Sequence, residues 1–432
     1  MWGMSGSDED IRLEMSKFSA NQTTMKEETI RKFHEDWDKC LQEHYVPIPF
    51  EEVLDCVELN TGVGRPWKEF HATKRDMIDS LGLEVFLDYL RSVEESIVDE
   101  TAFPDVTFDV FSKLDKYKLS KIENNRLRTI QGGDFVYLCL LIRWTYRQVK
   151  DLYANHPRFL VVFNNQDFGE RVTKAFEGKH TVGLDATGFD RSVPTSVIFE
   201  TCGSLLERTD CPEAMKAFIT CTAAFGRLQA GDGRLEDRYG GNPSGIFLTT
   251  ILNCAFNDMM HIEAYTQLFG ENFEDHVQWV LTGDDSLDGY NHETPLEPVL
   301  DAFSNFCLEF KCDTFEVEGR KTTFPPGIGC HAPYLARVSV VRQGVIIPVP
   351  AEPRRNLGWY HTHDPIQSQL EKRNSLIGIR ESVMPYYAVE LLDPSYPIPE
   401  SVQSFMDYFD RQGYEGSFMD AQKALEVYGT LV

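Results

Sequence analysis

The chain has 432 residues, 42% hydrophobic and 12% aromatic, with a formal net charge of −26. This composition is globular rather than disordered, and the length allows two or three domains. The acidic excess excludes indiscriminate nucleic-acid binding over the whole surface, so positive charge for such a partner has to be concentrated locally.

The first thirty residues are polar, with Asp8-Glu9-Asp10 and no apolar core, so they read as a mobile tip and not as a signal peptide. Ten cysteines occur without a Cys-x-x-Cys pair. They read as reduced thiols in a cytosolic setting, and zinc is not expected. No apolar run reaches the roughly 18 residues of a membrane helix. The longest, 135–142 and 246–256, are too short. Residues 31 to 160 mix helical patterns with Gly/Pro loops, among them Leu59-Asn60-Thr61-Gly62-Val63-Gly64-Arg65-Pro66-Trp67. Lys116, Lys118, Lys121, Arg126 and Arg128 crowd together with Glu123 as the sole acid, which suits a triphosphate path or a solvated helix face.

A helical pattern over 135–153 is stopped by His156-Pro157, and residues 195–225 also read as helical. Residues 182–185 read as a short buried strand ending in Asp185. Gly231-Asp232-Gly233 is a turn, followed by the charged segment 234–238. A helix is expected over 246–268, with strands at 277–281, 308–310, 314–317 and 337–341. The last eighty residues read as mainly helical, with Pro-rich joints at 348–353 and 394–399. The mixture predicts an α+β core and a helical C-terminal domain.

Three blocks carry chemistry in order: Asp185 with Asp190, then Gly241-Asn242-Pro243-Ser244-Gly245 leading to Thr249 and Asn253, then Gly283-Asp284-Asp285. Singly they read as a solvated loop, a buried helix and a turn; Gly-Asp-Asp alone arises by chance in roughly one chain in ten. Together they read as a metal-binding nucleotidyl-transfer site. Two divalent ions about 3.5–4 Å apart can activate an attacking 3′-hydroxyl and stabilise the leaving pyrophosphate oxygen. Magnesium takes carboxylate oxygens together with phosphate and water. Asp185 and Asp284 can share such a pair if strands 182–185 and 277–282 are neighbours in one sheet.

On these motifs the chain resembles the RNA-dependent RNA polymerases of positive-strand RNA viruses, in the picornavirus-like group. The resemblance runs from about residue 58 to 340 and continues as pattern beyond. It implies a right-hand fold: fingers, a palm with an antiparallel sheet flanked by helices, and a helical thumb. The implied division is fingers over 1–165 and 226–240, palm over 166–225 and 241–332, thumb over 333–432.

The resemblance makes Asp185, Asp284 and Asp285 the metal ligands, with magnesium or manganese as cofactor. It sets Asp190, Ser244 and Asn253 around the ribose 2′-hydroxyl, with Thr249 in the same loop–helix motif. Lys121, Arg126 and Arg128 fall on the triphosphate, Arg128 foremost because its fork matches phosphate geometry. Thr61, Gly64 and Pro66 match the template-entry motif, with Lys74-Arg75-Asp76 following, and Gly245 offers a template-contacting hinge. Lys321-Thr322-Thr323-Phe324 matches the motif of the pyrophosphate-protonating lysine, with Lys311 as rival. Tyr334-Leu335-Ala336-Arg337 matches the primer-gripping hairpin.

The implied partners are RNA template and primer, ribonucleoside triphosphates, a protein primer and other viral replication proteins. The implied place is a membrane-associated replication complex in the host cytoplasm. The chain departs from the pattern at Thr282, where the family commonly has Tyr, and at Ala336, where it usually has Lys. The first thins one wall of the site; the second weakens the primer-grip match. The chain opens on Met, so polyprotein release is not implied. Trp359 and Tyr360 are stacking candidates or buried core. A reverse transcriptase would exclude the 2′-hydroxyl that Asp190, Ser244 and Asn253 are suited to meet. A silent RNA-binding scaffold and a metal-dependent nuclease are the remaining alternatives.

Overall fold

The computed structural model describes residues 2–3, 11, 15, 23–112, 117–118, 129–161, 165–292, 294–306, 308–312, 315–317, 320–322, 332, 334–351, 353, 369–414 and 416–431. The N-terminal part comprises β1 (Trp2–Gly3), α1 (Glu27–Asp38), α2 (Phe50–Asp55), α3 (Lys74–Leu81), α4 (Leu83–Val98), β2 (Thr107–Ser112), β3 (Tyr117–Lys118), β4 (Thr129–Gly132) and α5 (Phe135–Asn155). The middle carries α6 (Asn165–Phe176), β5 (His180–Thr187), α7 (Phe189–Ser192), α8 (Thr195–Leu206), α9 (Glu213–Ala224), β6 (Phe225–Gln229) and β7 (Leu235–Tyr239). It continues through α10 (Thr249–Phe269), β8 (Val277–Thr282), β9 (Asp285–Tyr290), α11 (Leu296–Ser304), β10 (Glu309–Cys312), β11 (Phe315–Val317) and β12 (Arg320–Thr322). The C-terminal part is β13 (Arg337–Arg342), β14 (Val345–Pro350), α12 (Gln369–Leu392), α13 (Glu400–Arg411), α14 (Ala421–Tyr428) and β15 (Thr430–Leu431).

Local chemistry sets several boundaries. Thr73 and Asp76 form a reciprocal capping box that opens α3. Asp134 caps α5 by accepting from the Tyr137 N–H at 2.9 Å, and Pro157 lies just past its end. Burial pushes the Asp134 carboxyl up to about 6.

The central sheet runs in the order β10-β5-β9-β8, every neighbour antiparallel. A second sheet, β4-β2-β6-β7, joins residues 225–239 to the N-terminal part, with β2 and β6 parallel. The charged segment 234–238 is therefore largely strand. Helix α10 crosses behind the central sheet and is buried from Ile251 through Ile262, as expected of a helix enclosed on all sides. A separate apolar core joins Val338, Val340 and Ile347 of the β13–β14 hairpin to Val383, Val389 and Phe405 of α12 and α13.

Some expectations need correction. Ile11 and Met15 are buried in the main core, so the first thirty residues are not simply a mobile polar tip. Strand β5 continues two residues past Asp185. Pro348 and Pro350 end a strand where a joint was expected. β15 pairs only with Val345 and Ile346 of β14, so these prolines interrupt no ladder on that side. The seven cysteines whose side chains are described are all free. Among the described residues no helix is long and apolar enough to cross a membrane.

Arg158 fastens α1, α10 and β8 together. It donates to both Asp258 oxygens at 2.7 and 2.8 Å and to Asp36 at 2.6 Å, while Trp279 Nε1 donates to Asp258 at 2.8 Å. Burial alone would raise the Asp36 carboxyl, but Arg158 and the nearby lysines hold it at about 2. Close by, His156 is fully buried against the Phe159 ring, and among the described residues neither ring nitrogen has a hydrogen-bond partner. Burial pushes its pKa down to about 4. The unfolded chain therefore binds a proton near pH 6.5 that the folded chain refuses until about pH 4, so stability falls as pH drops through this window. Relative to His156→Leu, the protein should lose about 2 kcal/mol between pH 7.5 and pH 5, at about 1.4 kcal/mol per pKa unit. Urea unfolding at the two pH values reads this difference, and equal losses in both proteins would refute it.

Candidate active site

Strands β5 and β9 meet with Leu184 opposite Ser286, so one further step sets Asp185 level with Asp285. Strands β8 and β9 close with Thr282 opposite Asp285, leaving Gly283 and Asp284 as a two-residue turn. Gly283 has φ +65°, whereas Asp284 stays out of the left-handed region. That is the pattern of a turn requiring glycine at its first central position. The expectation that strands 182–185 and 277–282 are neighbours does not hold: β9, which starts at Asp285, lies between β5 and β8, and it is β9 that brings the turn beside Asp185. Asp185 is exposed, and Asp284 and Asp285 are half-buried at the open end of the sheet.

The turn is held from behind by α10. Asn257 Nδ2 donates to the Gly283 and Asp284 carbonyls at 3.1 and 3.3 Å. The Gly283 N–H donates to Cys254 Sγ at 3.1 Å, and burial pushes that thiol up to about 12, keeping it protonated. His261 Nδ1 lies 2.7 Å from the Asn257 carbonyl, and its Nε2 lies 3.2 Å from Asp288. A carbonyl only accepts, so Nδ1 carries hydrogen. Tyr265 donates to the other Asp288 oxygen and lies 2.7 Å from the Tyr290 hydroxyl.

The loop–helix motif reaches Asp190. Asn253 Nδ2 donates to Asp190 Oδ1 at 2.6 Å, and Asn242 Nδ2 lies 2.7 Å from Asn253 Oδ1. Thr249 Oγ1 faces the carbonyls of Pro243 and Ile246 at 2.8 and 2.7 Å, which tightens the entry to α10. The Ser244 hydroxyl accepts from the Gln131 N–H at 3.3 Å. Gly245 makes a bridge to Gly132, where a Cβ would lie 2.3 Å from the Gln131 carbonyl oxygen. Its lack of a side chain thus serves close approach, whereas the sequence suggested hinge freedom. The template-entry candidates adjoin the same strand, because Gly64 presses on the Gly133 carbonyl and Phe135 N–H bonds Val63. Thr61 accepts from the Lys74 ammonium, and burial lowers the Lys74 pKa. Pro66 opens the short turn that carries Trp67.

A buried cation anchors this loop. Arg238 is 1% exposed and donates to the carbonyls of Gly240, Gly241, Thr222 and Ala223 at 2.9, 2.6, 3.1 and 2.9 Å. Two of these are the last carbonyls of α9, where a cation also suits the helix dipole. Burial lowers its pKa to about 10, still cationic at neutral pH.

Tyr334 and Arg337 exchange backbone hydrogen bonds at 2.9 Å around Leu335 and Ala336, both at positive φ. Arg337 lies over the Phe168 ring at 5.5 Å. Tyr334 donates to Thr282 Oγ1 at 2.8 Å, and Thr282 donates to the Leu160 carbonyl at 2.6 Å, so another ring supports the position where the smaller residue stands. Lys121, Arg126, Arg128, Trp359 and Tyr360 lie outside the described residues. For the two lysine candidates the backbone alone is described: Lys311 is the partner of Asp185 across β10–β5, and Lys321 pairs with Glu316 in the β11–β12 hairpin.

Sequence reading missed Asn257, His261, Tyr265 and Arg238. The first three were signalled by polar groups at four-residue spacing in an otherwise apolar helix, continuing from Thr249 and Asn253. Among the described residues no group of three or more His, Cys, Asp or Glu side chains forms a ready metal cage. The donor set nonetheless fits a hard cation that keeps water and phosphate ligands beside one or two carboxylates.

An antiparallel sheet with paired acids at one end, backed by a buried helix, and a second sheet over the loop–helix motif form an α+β right-hand polymerase. Residues 9–342 match the family model described as viral RNA-dependent RNA polymerase. The chain belongs to that family. It is 22% identical over 265 residues to the genome polyproteins of Human klassevirus 1 and of Salivirus A, covering 59% of this chain and 11% of each polyprotein. It thus spans a small part of those relatives. The fold is similar to that of a sicinivirus 3Dpol RNA-dependent RNA polymerase, with TM-score 0.71, 15% identity, and coverage of 98% of this chain and 89% of that one. The family generally uses divalent metals.

Asn257→Ala removes the donor that serves both turn carbonyls. Leaving buried carbonyls unpaired costs about 1–3 kcal/mol. RNA synthesis should fall by about tenfold or more, as expected where acids need exact placement. Steady-state extension rates beside thermal melting read this; unchanged turnover at a lowered melting temperature would show that Asn257 supports the fold alone.

Proposed function

We propose that this chain copies RNA from an RNA template, adding ribonucleotides by two-metal nucleotidyl transfer in viral genome replication and transcription. The observation that carries this reading is the open sheet end where Asp185 comes level with Asp285, beside a Gly283–Asp284 turn clamped by α10. Asp185, Asp284 and Asp285 would hold magnesium or manganese. When bound, such a metal pair activates the primer hydroxyl and stabilises the leaving pyrophosphate.

The protein's own groups orient the reactants. Asp190 and Asn253, with Ser244 and Thr249 in the adjoining loop, would receive the ribose; a polar group built for a hydroxyl is left unpaired by a deoxy substrate. Lys121, Arg126 and Arg128 would hold the triphosphate, and Lys321 would deliver the proton to the leaving group. Thr61, Gly64, Pro66, Gly245 and Arg337 would track template and primer. In this reading fingers span 1–165 and 226–240, palm 166–225 and 241–332, and thumb 333–432. The shared β4-β2-β6-β7 sheet supports assigning 226–240 to the fingers. A protein primer and other viral replication proteins would be partners, in a membrane-associated complex of the host cytoplasm.

Primer extension on a short RNA template, with magnesium and either ribo- or deoxynucleotides, tests the reading. Asp284→Asn should lower extension at least about a hundredfold, near 3 kcal/mol of transition-state stabilisation, while RNA binding is retained. No extension by the unaltered protein, with magnesium or manganese and on primed or unprimed RNA, would favour a binding scaffold. Extension with deoxynucleotides as efficient as with ribonucleotides would favour a reverse transcriptase.

A second comparison separates the two lysines. Lys321→Leu should lower the turnover rate about tenfold to a hundredfold and abolish the high-pH limb of its profile, whereas Lys311→Leu should preserve that limb. The reverse result would assign the proton to Lys311.

A further inference from the structure

Asn242 is wholly buried, and it touches both members of the Asp190–Asn253 pair. Its backbone N–H donates to the Asp190 carbonyl at 2.6 Å. Its side-chain Nδ2 lies 2.6 Å from the Thr249 carbonyl and 2.7 Å from Asn253 Oδ1. Asn253 Nδ2 in turn donates to Asp190 at 2.6 Å.

Donor and acceptor chemistry permits this chain of bonds in one direction only. The Thr249 carbonyl can only accept, so the Asn242 atom facing it must be the NH2 group. That group also faces Asn253, so the Asn253 atom there must be its oxygen. The Asn253 NH2 is then left pointing at the carboxylate, as observed. Reversing Asn253 would oppose two NH2 groups at one end and two oxygens at the other.

The opposite end of Asn242 argues against simple space filling. Among the described residues its Oδ1 is buried with no partner, and an orphan acceptor is costly. An apolar side chain would fill the same space without that cost, so the two donated bonds are what the residue supplies. The loop that bears it is fixed independently. Arg238 holds the Gly240 and Gly241 carbonyls, and the Gly240 and Gly241 N–H groups bond Ala224 and Val193 at 2.8 Å.

We infer that Asn242 is a positioning residue for sugar discrimination: it locks the Asn253 amide so that Nδ2 faces Asp190, in the orientation that receives a ribose 2′-hydroxyl. This rests on the proposed ribonucleotide-polymerising role of the same site. Asn242 acts through Asn253 and has no part in the chemical step.

The test is single-nucleotide addition to a primed RNA template by the full chain, with ATP and with dATP, reported as the ratio of their kcat/KM values. Misfolded or inactive enzyme cancels in this ratio, so a merely structural role leaves it unmoved. Asn242→Leu should lower the ratio about tenfold, mainly by raising KM for ATP. Asn242→Asp keeps the shape but puts an acceptor where a donor is needed; it should lower the ratio at least as far and remains informative if the leucine variant fails to fold. An unchanged ratio in either folded variant, whatever its melting temperature, overturns the inference. An unaltered protein that extends with neither nucleotide overturns the polymerase reading itself, and this inference falls with it.

Discussion

Helix α10 has to lie in the middle of the molecule, and almost nothing polar can be left unpaired there. Its residues from Ile251 to Ile262 are buried, yet Asn253, Asn257, Asp258 and His261 are among them. A buried polar group without a partner is expensive, so each of these side chains dictates what must stand opposite. Thr249, Asn253, Asn257, His261 and Tyr265 recur every four residues, each beside the last, and so form a stripe that winds round the helix. Along that stripe they meet the loop carbonyls, Asp190, the Gly283–Asp284 turn and Asp288 in succession. One polar stripe thereby sets the position of three separate chain segments. Asp258 does the same for Arg158, through it for α1, and directly for β8 by way of Trp279.

The Arg238 cluster applies the same rule to a charge. A guanidinium wholly buried without a carboxylate is costly unless its N–H groups are met, and here four carbonyls meet those of Nη1 and Nη2, while among the described residues Nε has no partner. Two belong to the end of α9 and two to the loop that leads into α10. The cation therefore fixes the junction between the second sheet and the central sheet, rather than merely sitting in it. Its ring contact with Phe108 of β2, at 5.3 Å, ties in the parallel strand as well. In a chain with net charge −26, this positive charge is spent on internal architecture.

The sequence exposed the site more readily than its supports. Asp185 and the Gly283–Asp285 turn could be placed because β-branched and aromatic runs stop at residues suited to a turn, but β9, the strand that separates β5 from β8, was not read, because Ser286, Asp288 and Gly289 hide its strand character. Asn253 was found through its motif, whereas Asn257 and His261 were passed over inside a run that looked like ordinary apolar helix. A polar residue facing a partner across space carries no local signature until the fold brings the two together. Arg238 was hidden in a stretch of alternating charges that resembles a solvent-facing segment, and only the closure of β7 against β6 buries it. Pro348 and Pro350 misled for a related reason: proline marks a joint unless the strand edge it would interrupt has no neighbour.

Rigidity and openness are divided across this site in a way that suits acids needed on one side only. In front, Asp185 is exposed and the acids of the turn are half in solvent. Behind them, the hydrogen on His261 Nδ1 is committed to the Asn257 carbonyl, and its Nε2 faces Asp288. Asn257 is thereby fixed, and its amide, which carries no net charge, holds the turn by hydrogen bonds. Dipoles fixed in advance of the reaction need no reorganisation when charge develops. The burial of Asn257, His261 and Asp288 is the structural form that preorganisation takes here.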